Sequence, residues 1–251
     1  MTQSNDSGTI EKVVNTVMGV KTEDENQSKA QQIASTKDLD IKVLFTYKLG
    51  TVLQIGIIIL AFWGMENLVT VVNNSPSFPN WVSTLFAGLF FTLLSIRSRI
   101  FSPLDNTRSR KTYDEIVRPK WAPPPLAFPI VWMSIAVLRV ISSLLVWQEM
   151  NQQFLVLPLI AFGVHLALGD TWNTIFTVER RLGTAVPVVI FGPWLSALIV
   201  TALYWQINPL AGIILAPSCV WLTVAAVLVF SIWQLNGKEP LYPLKITPIK
   251  D

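Results

Sequence analysis

Arg139 stands inside an otherwise apolar run, 13 residues past the start of the stretch 126–148 that contains it. An ionised side chain at that depth in a bilayer costs several kcal/mol unless it is paired or wet, so it must face other protein or a cavity. Phe128, Trp132, Ala136, Arg139 and Ser143 recur at three- or four-residue spacing and share one helical face. His165, Trp172 and Phe176 make a comparable stripe, with Gly169 allowing close approach, and Trp221 with Ala225 makes a third. Together the stripes would enclose an aromatic cavity. Indole and phenyl faces favour planar rings and a buried guanidinium can fix a carboxylate, so such a cavity suits a flat, amphipathic ligand. The same residues have plainer uses: Arg139 can pair with Asp170 or with Glu66, and His165 can hydrogen-bond within a bundle. Other chemistry is poorly supplied. One cysteine, Cys219, and one histidine exclude an internal disulfide framework, a Cys-based zinc site and a His cluster for a metal. No acid, base and nucleophile fall into a catalytic constellation.

The elements that hold these residues follow from composition. With 51% apolar and 14% charged residues over 251 positions, and a mean hydropathy of +0.48, a soluble globular enzyme is excluded. Six apolar segments, 47–72, 81–97, 126–148, 154–177, 184–205 and 209–235, are long enough to span a bilayer, the second marginally. The joints at 73–80 and 206–208 carry no charge and that at 148–153 only Glu149. Every other joint is basic: Arg97, Arg99, Arg108, Arg110, Lys111, Arg118 and Lys120 fall between the second and third segments, and Arg180 and Arg181 near the fourth turn. The positive-inside rule puts these joints and both termini on the cytoplasm-equivalent side. Trp81, Trp147, Trp205 and Trp233 lie near segment ends, as interfacial indoles do. The fold class is therefore all-α, a polytopic membrane helix bundle. The net charge of +3 gathers at segment ends, which suits lipid headgroups and does not imply nucleic acid.

Residues 1–46 are polar and cannot bury enough apolar surface to fold alone, so they read as a disordered tail. Within it Ile10, Val13, Val14, Val17 and Met18 recur at helical spacing. They make either a short amphipathic helix on a membrane or partner, or a transient helix in the arm. The first apolar segment begins too late for a secretory signal peptide. The lack of a clear targeting segment points to a bacterial inner or thylakoid membrane, with an organelle membrane as the alternative.

Ahead of the third segment stands Arg118-Pro119-Lys-Trp121-Ala-Pro123-Pro124-Pro125, leading to Phe128 and Val131-Trp132. The prolines stiffen an extended entry at a helix start, where missing N–H donors cost little. This stretch resembles the signature of the TspO/MBR family, the tryptophan-rich sensory and translocator proteins, or peripheral benzodiazepine receptor family. The resemblance continues through His165-Leu-Ala-Leu-Gly169-Asp-Thr-Trp172 to Phe176, the basic turn Arg180-Arg181-Leu-Gly183, and Pro217, Trp221, Ala225, Leu228, Trp233 and Asn236. It covers residues 118–236 well. It makes 81–236 a five-helix domain, 47–80 an extra N-terminal transmembrane helix and link, and 237–251 a C-terminal tail. Four polar residues of the family pattern are replaced, by Ala136, Gly169, Ser218 and Val229. The cholesterol-recognition stretch is not matched, with Phe230 and Gln234 where it needs Tyr and Arg.

The resemblance implies a pocket that takes a tetrapyrrole, haem or protoporphyrin, or a similar hydrophobic small molecule, with no obligatory cofactor. Its ligand-binding residues would be Trp121, Phe128, Trp132, Ala136, Arg139, His165, Gly169, Trp172, Phe176, Trp221 and Ala225. Arg139 would meet a propionate, and His165 either ligates a haem iron or hydrogen-bonds. A homodimer in the lipid bilayer, roles in transport, sensing or stress response, and an option of porphyrin degradation are implied by resemblance alone. The rival expectation is a structural or assembly subunit of a larger membrane complex that kept the fold and lost the ligand. A secondary transporter is disfavoured, since inverted repeats and Gly-broken paired helices are not evident.

Overall fold

The computed structural model describes residues 33–79, 81–104 and 116–248. The possible amphipathic helix at 10–18 lies outside them. In chain order the elements are β1 (Ile33–Leu39), α1 (Ile41–Asn74), α2 (Trp81–Arg97), α3 (Ala127–Glu149), α4 (Leu157–Asn173), α5 (Leu182–Val189), α6 (Leu195–Ile207), α7 (Pro209–Leu235) and β2 (Leu244–Pro248). All six expected segments are helical, and the last helices form the expected bundle. The spans 41–74, 81–101, 127–149, 182–207 and 209–235 are each long and apolar enough to cross a membrane. The remaining one, α4, continues through a π-helical turn at Thr174–Val178. A second π turn, Ile190–Trp194, joins α5 to α6 within one span and carries Pro193. Proline lacks the N–H that a regular turn would use, and the widened turn accommodates it.

Helix α4 is the centre of the bundle, packed against α1, α3, α5 and α6, while α7 closes against α3, α5 and α6. Helix α1 is apolar nearly all round, as a membrane span is. Its buried positions Tyr47, Thr51, Gln54, Ile58, Phe62, Val69 and Val72 nevertheless trace one narrow stripe, and that stripe docks on α4 and α2. At 34 residues it is about 51 Å long, so its ends reach beyond a hydrocarbon core of about 30 Å.

Two ends of the expected organisation shift. Helix α1 starts at Ile41 rather than 47, capped by Asp40, whose Oδ1 accepts from the Val43 N–H at 3.1 Å. Residues 33–39 of the polar segment are a strand paired antiparallel with 244–248 of the tail. Hydropathy marks the part of a helix that lies in lipid, and residues 41–46, with Lys42 and Thr46, extend it outside that zone. The ribbon, with the Asp40 N–H donating to Pro243 O at 2.7 Å, ties the start of α1 to the chain that follows α7. At the opposite end, Phe62, Phe90, Phe91, Trp147 and Phe154 form an aromatic cluster with ring centroids 5.5–6.3 Å apart, joining α1, α2, α3 and the α3–α4 link.

The proline-rich entry to α3 is a folded collar. The Ala122 N–H donates to Pro119 O and the Ala127 N–H to Pro124 O, both at 2.9 Å. Arg118 braces it, donating from Nη2 to Pro123 O at 3.0 Å while its guanidinium lies 5.4 Å from the centre of the Phe128 ring.

Candidate functional site

Among the helices on the basic-joint side lies a cavity of about 130 Å³. Helix α3 lines it with Trp132, Met133, Ala136 and Arg139, and α4 with His165, Leu166, Gly169, Asp170, Trp172 and Asn173. Ser95, Ile96, Ser98 and Arg99, from the end of α2 and the turn after it, make a third wall, and Pro193 and Leu222 complete the lining. The two stripes expected on α3 and α4 therefore do converge. Each projects the residues of one helical face, and α4 lies beside α3. Gly169 faces open space, since a Cβ there would meet nothing within 4 Å.

Arg139 is fixed by a chain of hydrogen bonds. Its Nη2 lies 2.8 Å from His165 Nε2, and a guanidinium can only donate. His165 Nε2 is therefore the acceptor, which leaves the ring proton on Nδ1, 2.8 Å from Ser196 Oγ. The Ser196 hydroxyl in turn donates to Pro193 O at 3.3 Å, inside the π turn. One tautomer of neutral histidine satisfies every bond. Both ring nitrogens are then engaged, so His165 hydrogen-bonds and has no lone pair left for an iron. Neither expected partner pairs directly with Arg139. Glu66 Oε2 accepts the Phe154 and Leu155 N–H groups ahead of α4, at 2.8 and 2.9 Å. Asp170 Oδ2 accepts from Gln54 Nε2 of α1 at 2.7 Å.

That second contact brings the extra helix to the site. Gln54 Nε2 also donates to Ser98 O at 3.2 Å, so one amide bridges two walls of the cavity from behind. Thr51 and Thr171 share a hydrogen bond of 2.6 Å one turn away, and the Tyr47 hydroxyl donates to Glu179 beyond the end of α4. Arg181 holds the same Glu179 carboxylate through Nε at 3.0 Å and reaches Leu244 O through Nη1 at 2.9 Å.

The expected residues divide. Trp132, Ala136, Arg139, His165, Gly169 and Trp172 line the cavity. Phe176 instead stacks on Trp172 at 5.5 Å, with ring planes 6° apart. Trp221 and Phe128 meet edge to face at 5.7 Å, outside the cavity lining. Ala225 is buried away from the lining, and Trp121 is half exposed on the collar. On α7 the next residue, Leu222, takes the wall position, a rotation of about 100° from the expected face. Ser95, Ser98, Arg99, Asn173 and Pro193 are cavity residues that face spacing on α3, α4 and α7 does not reach. Their signal was polar residues closing an apolar helix and a proline inside a span.

Several polar atoms at this end are buried without a partner: Arg139 Nε, Trp172 Nε1, Asn173 Oδ1 and Ser95 Oγ. An orphaned buried donor costs about 1–3 kcal/mol, so these groups are where a ligand acceptor or donor would be rewarded. Arg139 and Trp172 both line the cavity; a guanidinium suits a carboxylate, and the indole and apolar walls suit a ring system.

Comparison with known proteins agrees with this architecture. Protein CrtK of Rhodobacter capsulatus is 33% identical over 162 residues, covering 63% of this chain and 97% of that protein. The tryptophan-rich sensory protein of Cereibacter sphaeroides is 30% identical over 129 residues, 51% of this chain and 78% of its own. The human translocator protein is 29% identical over 161 residues, 63% and 92% of the two chains. The sequence model of the TspO/MBR family matches residues 79–234, from α2 to the end of α7, so this integral membrane helix bundle belongs to the TspO/MBR family.

Proposed function

We propose that the chain binds a flat, amphipathic, carboxylate-bearing molecule of the tetrapyrrole class in the cavity between α2, α3 and α4, and senses or moves it. The observation that carries this reading is that Arg139 and Trp172, each with a buried donor that has no partner, both line a cavity that Trp132 shares. A macrocycle would lie against Trp132 and Trp172 with a propionate toward Arg139. Iron ligation by His165 is not part of the proposal, because its nitrogens are occupied. The basic joints face the cytoplasm-equivalent side of a bacterial inner or thylakoid membrane, and the β1–β2 ribbon supports both ends lying on one side. A homodimer is proposed from the family alone.

Titration of the purified protein with protoporphyrin IX, read by tryptophan fluorescence, tests the site. Saturable quenching is expected, weakened at least about tenfold in Arg139→Leu, the equivalent of about 1.4 kcal/mol. The dimethyl ester of the same porphyrin, which lacks carboxylates, should bind wild type and Arg139→Leu alike. Gly169→Phe fills open space and should abolish quenching while the protein stays folded. A second reading, a structural subunit that kept the fold and lost the ligand, draws support from the cavity volume. At about 130 Å³ it is below the roughly 300–1,000 Å³ of sites for drug-sized molecules. Absence of saturable quenching at micromolar porphyrin favours that reading.

A further inference from the structure

We infer that the cavity is loaded sideways from the lipid leaflet on the basic-joint side, through the seam between α2 and α3, and that the extra helix α1 seals the seam opposite. This rests on the ligand-binding reading above and adds the route. Of the residues lining the cavity, only Ile96 on α2 and Met133 on α3 are also exposed on the outer surface, at 41% and 40%, and the rest are buried or half-buried. Both side chains are apolar, Met133 flexible, and both belong to membrane-spanning helices, so what lies outside them is lipid. Ile96 is the penultimate residue of α2 and Met133 is in the second turn of α3, which puts the seam near the boundary between acyl chains and headgroups. The exposed Arg97 stands beside it. A planar carboxylate dissolved in the leaflet would hold its charge at that level already, with its ring among the acyl chains.

The opposite seam is shut. Gln54 of α1 bolts Ser98 O, just past α2, to Asp170 of α4. Gly50 lets α1 approach so closely that a Cβ there would come within 2.5 Å of Leu104, pinning the chain that leaves α2. Farther from the basic side, the aromatic cluster of Phe90, Phe91 and Trp147 holds α2 and α3 together. The α2–α3 seam at Ile96 and Met133 is thus the edge of the cavity that neither the bolt nor the cluster closes.

The test is kinetic. Full-length protein in phosphatidylcholine vesicles is mixed with vesicles preloaded with protoporphyrin IX, and quenching is followed in time. For the lateral route, the rate rises with the mole fraction of porphyrin in the bilayer at fixed aqueous concentration. Ile96→Phe and Met133→Phe narrow the seam and should slow association and dissociation together, by about tenfold, as a gate does. Met133→Ala widens it and should speed both, which guards against a folding defect in the Phe variants. Rates that ignore all three substitutions, or that change with Trp121→Ala on the collar instead, place entry on the aqueous side and overturn the route while leaving the binding site standing. A wild-type protein that never quenches overturns the binding reading and the route with it.

Discussion

Two glycines six residues apart on α4 should respond to the same substitution with opposite sign. At Gly163 an added Cβ would stand 2.9 Å from Ile58 Cγ2 and 3.5 and 3.7 Å from two ring carbons of Phe62. Carbon atoms prefer about 3.5–4.0 Å, and Cγ2 sits on a stiff β-branched side chain, so α1 itself must retreat. Overpacking of this kind costs about 1–3 kcal/mol, against a gain of about 0.5–1 kcal/mol from replacing glycine by alanine inside a helix. The net expectation for Gly163→Ala is a loss of up to about 2.5 kcal/mol. At Gly169 there is no atom within 4 Å to meet, so Gly169→Ala keeps only the helix term and stabilises by about 0.5–1 kcal/mol. The assay is denaturation of the purified protein in mixed micelles, with rising fractions of dodecyl sulfate and tryptophan emission as readout. A double-mutant cycle with Ile58→Ala sharpens it. Removing Ile58 alone leaves a void and costs about 2–5 kcal/mol, but in the Gly163→Ala background the new methyl group fills part of that void, giving a favourable coupling of at least about 1 kcal/mol. If Gly163→Ala stabilises as much as Gly169→Ala and the cycle shows no coupling, α1 is not docked on α4 as described.

Gln54→Leu keeps the volume of the side chain but leaves Asp170 without its 2.7 Å donor. A loss of about 1–3 kcal/mol is expected in the same denaturation assay, recovered only in part in Gln54→Leu/Asp170→Leu, where Ser98 O still lacks its donor. Ser196→Ala removes the acceptor of the His165 Nδ1–H, again a cost of about 1–3 kcal/mol. Nitrogen NMR of the single histidine should then show a shifted Nδ1–H signal as its hydrogen bond is lost, with Nε2 still unprotonated against Arg139, and an unchanged ring spectrum would disprove the hydrogen-bond chain.

The parts of this molecule legible in its sequence are those governed by local periodicity. Phe128, Trp132, Ala136 and Arg139 fall on one face because a helix has 3.6 residues per turn, and the same rule placed His165, Gly169 and Trp172. The inward face of α7 carries no such mark, because its apolar residues run all round the helix and amphipathicity supplies no phase. Trp221 packs against Phe128, and the next residue, Leu222, lines the cavity. On α1 the phase was legible in principle. Thr51 and Gln54, three residues apart in an apolar span, are polar groups that need protein partners, and they do find Thr171 and Asp170. The ribbon between 33–39 and 244–248 had no local signal, since it joins segments at opposite ends of the chain.

The replaced residues and the added helix make physical sense as one coupled change. Ala136 and Gly169 stand where the family pattern has Tyr and Asn, so two polar groups are missing from facing walls of the cavity. Their place is taken by polarity that arises elsewhere: Arg139 one turn below Ala136, its histidine partner one turn above Gly169, and Asp170 beside it. A buried carboxylate on α4 needs partners, and Asp170 has Ser98 and the Arg99 and Arg139 cations near it as well as Gln54. The family match begins at residue 79, and Asp170 Oδ2 takes its hydrogen bond from beyond that boundary, from Gln54 of α1. Gly163 on the same face of α4 admits the helix that carries it, with no room for a Cβ between them. The sixth helix is therefore not an anchor appended to a self-sufficient five-helix core. It adds hydrogen bonds at Thr171 and Asp170 on the core's central helix and at both of its flanks, to Glu179 beyond it and to the N–H groups that Glu66 holds ahead of Leu157.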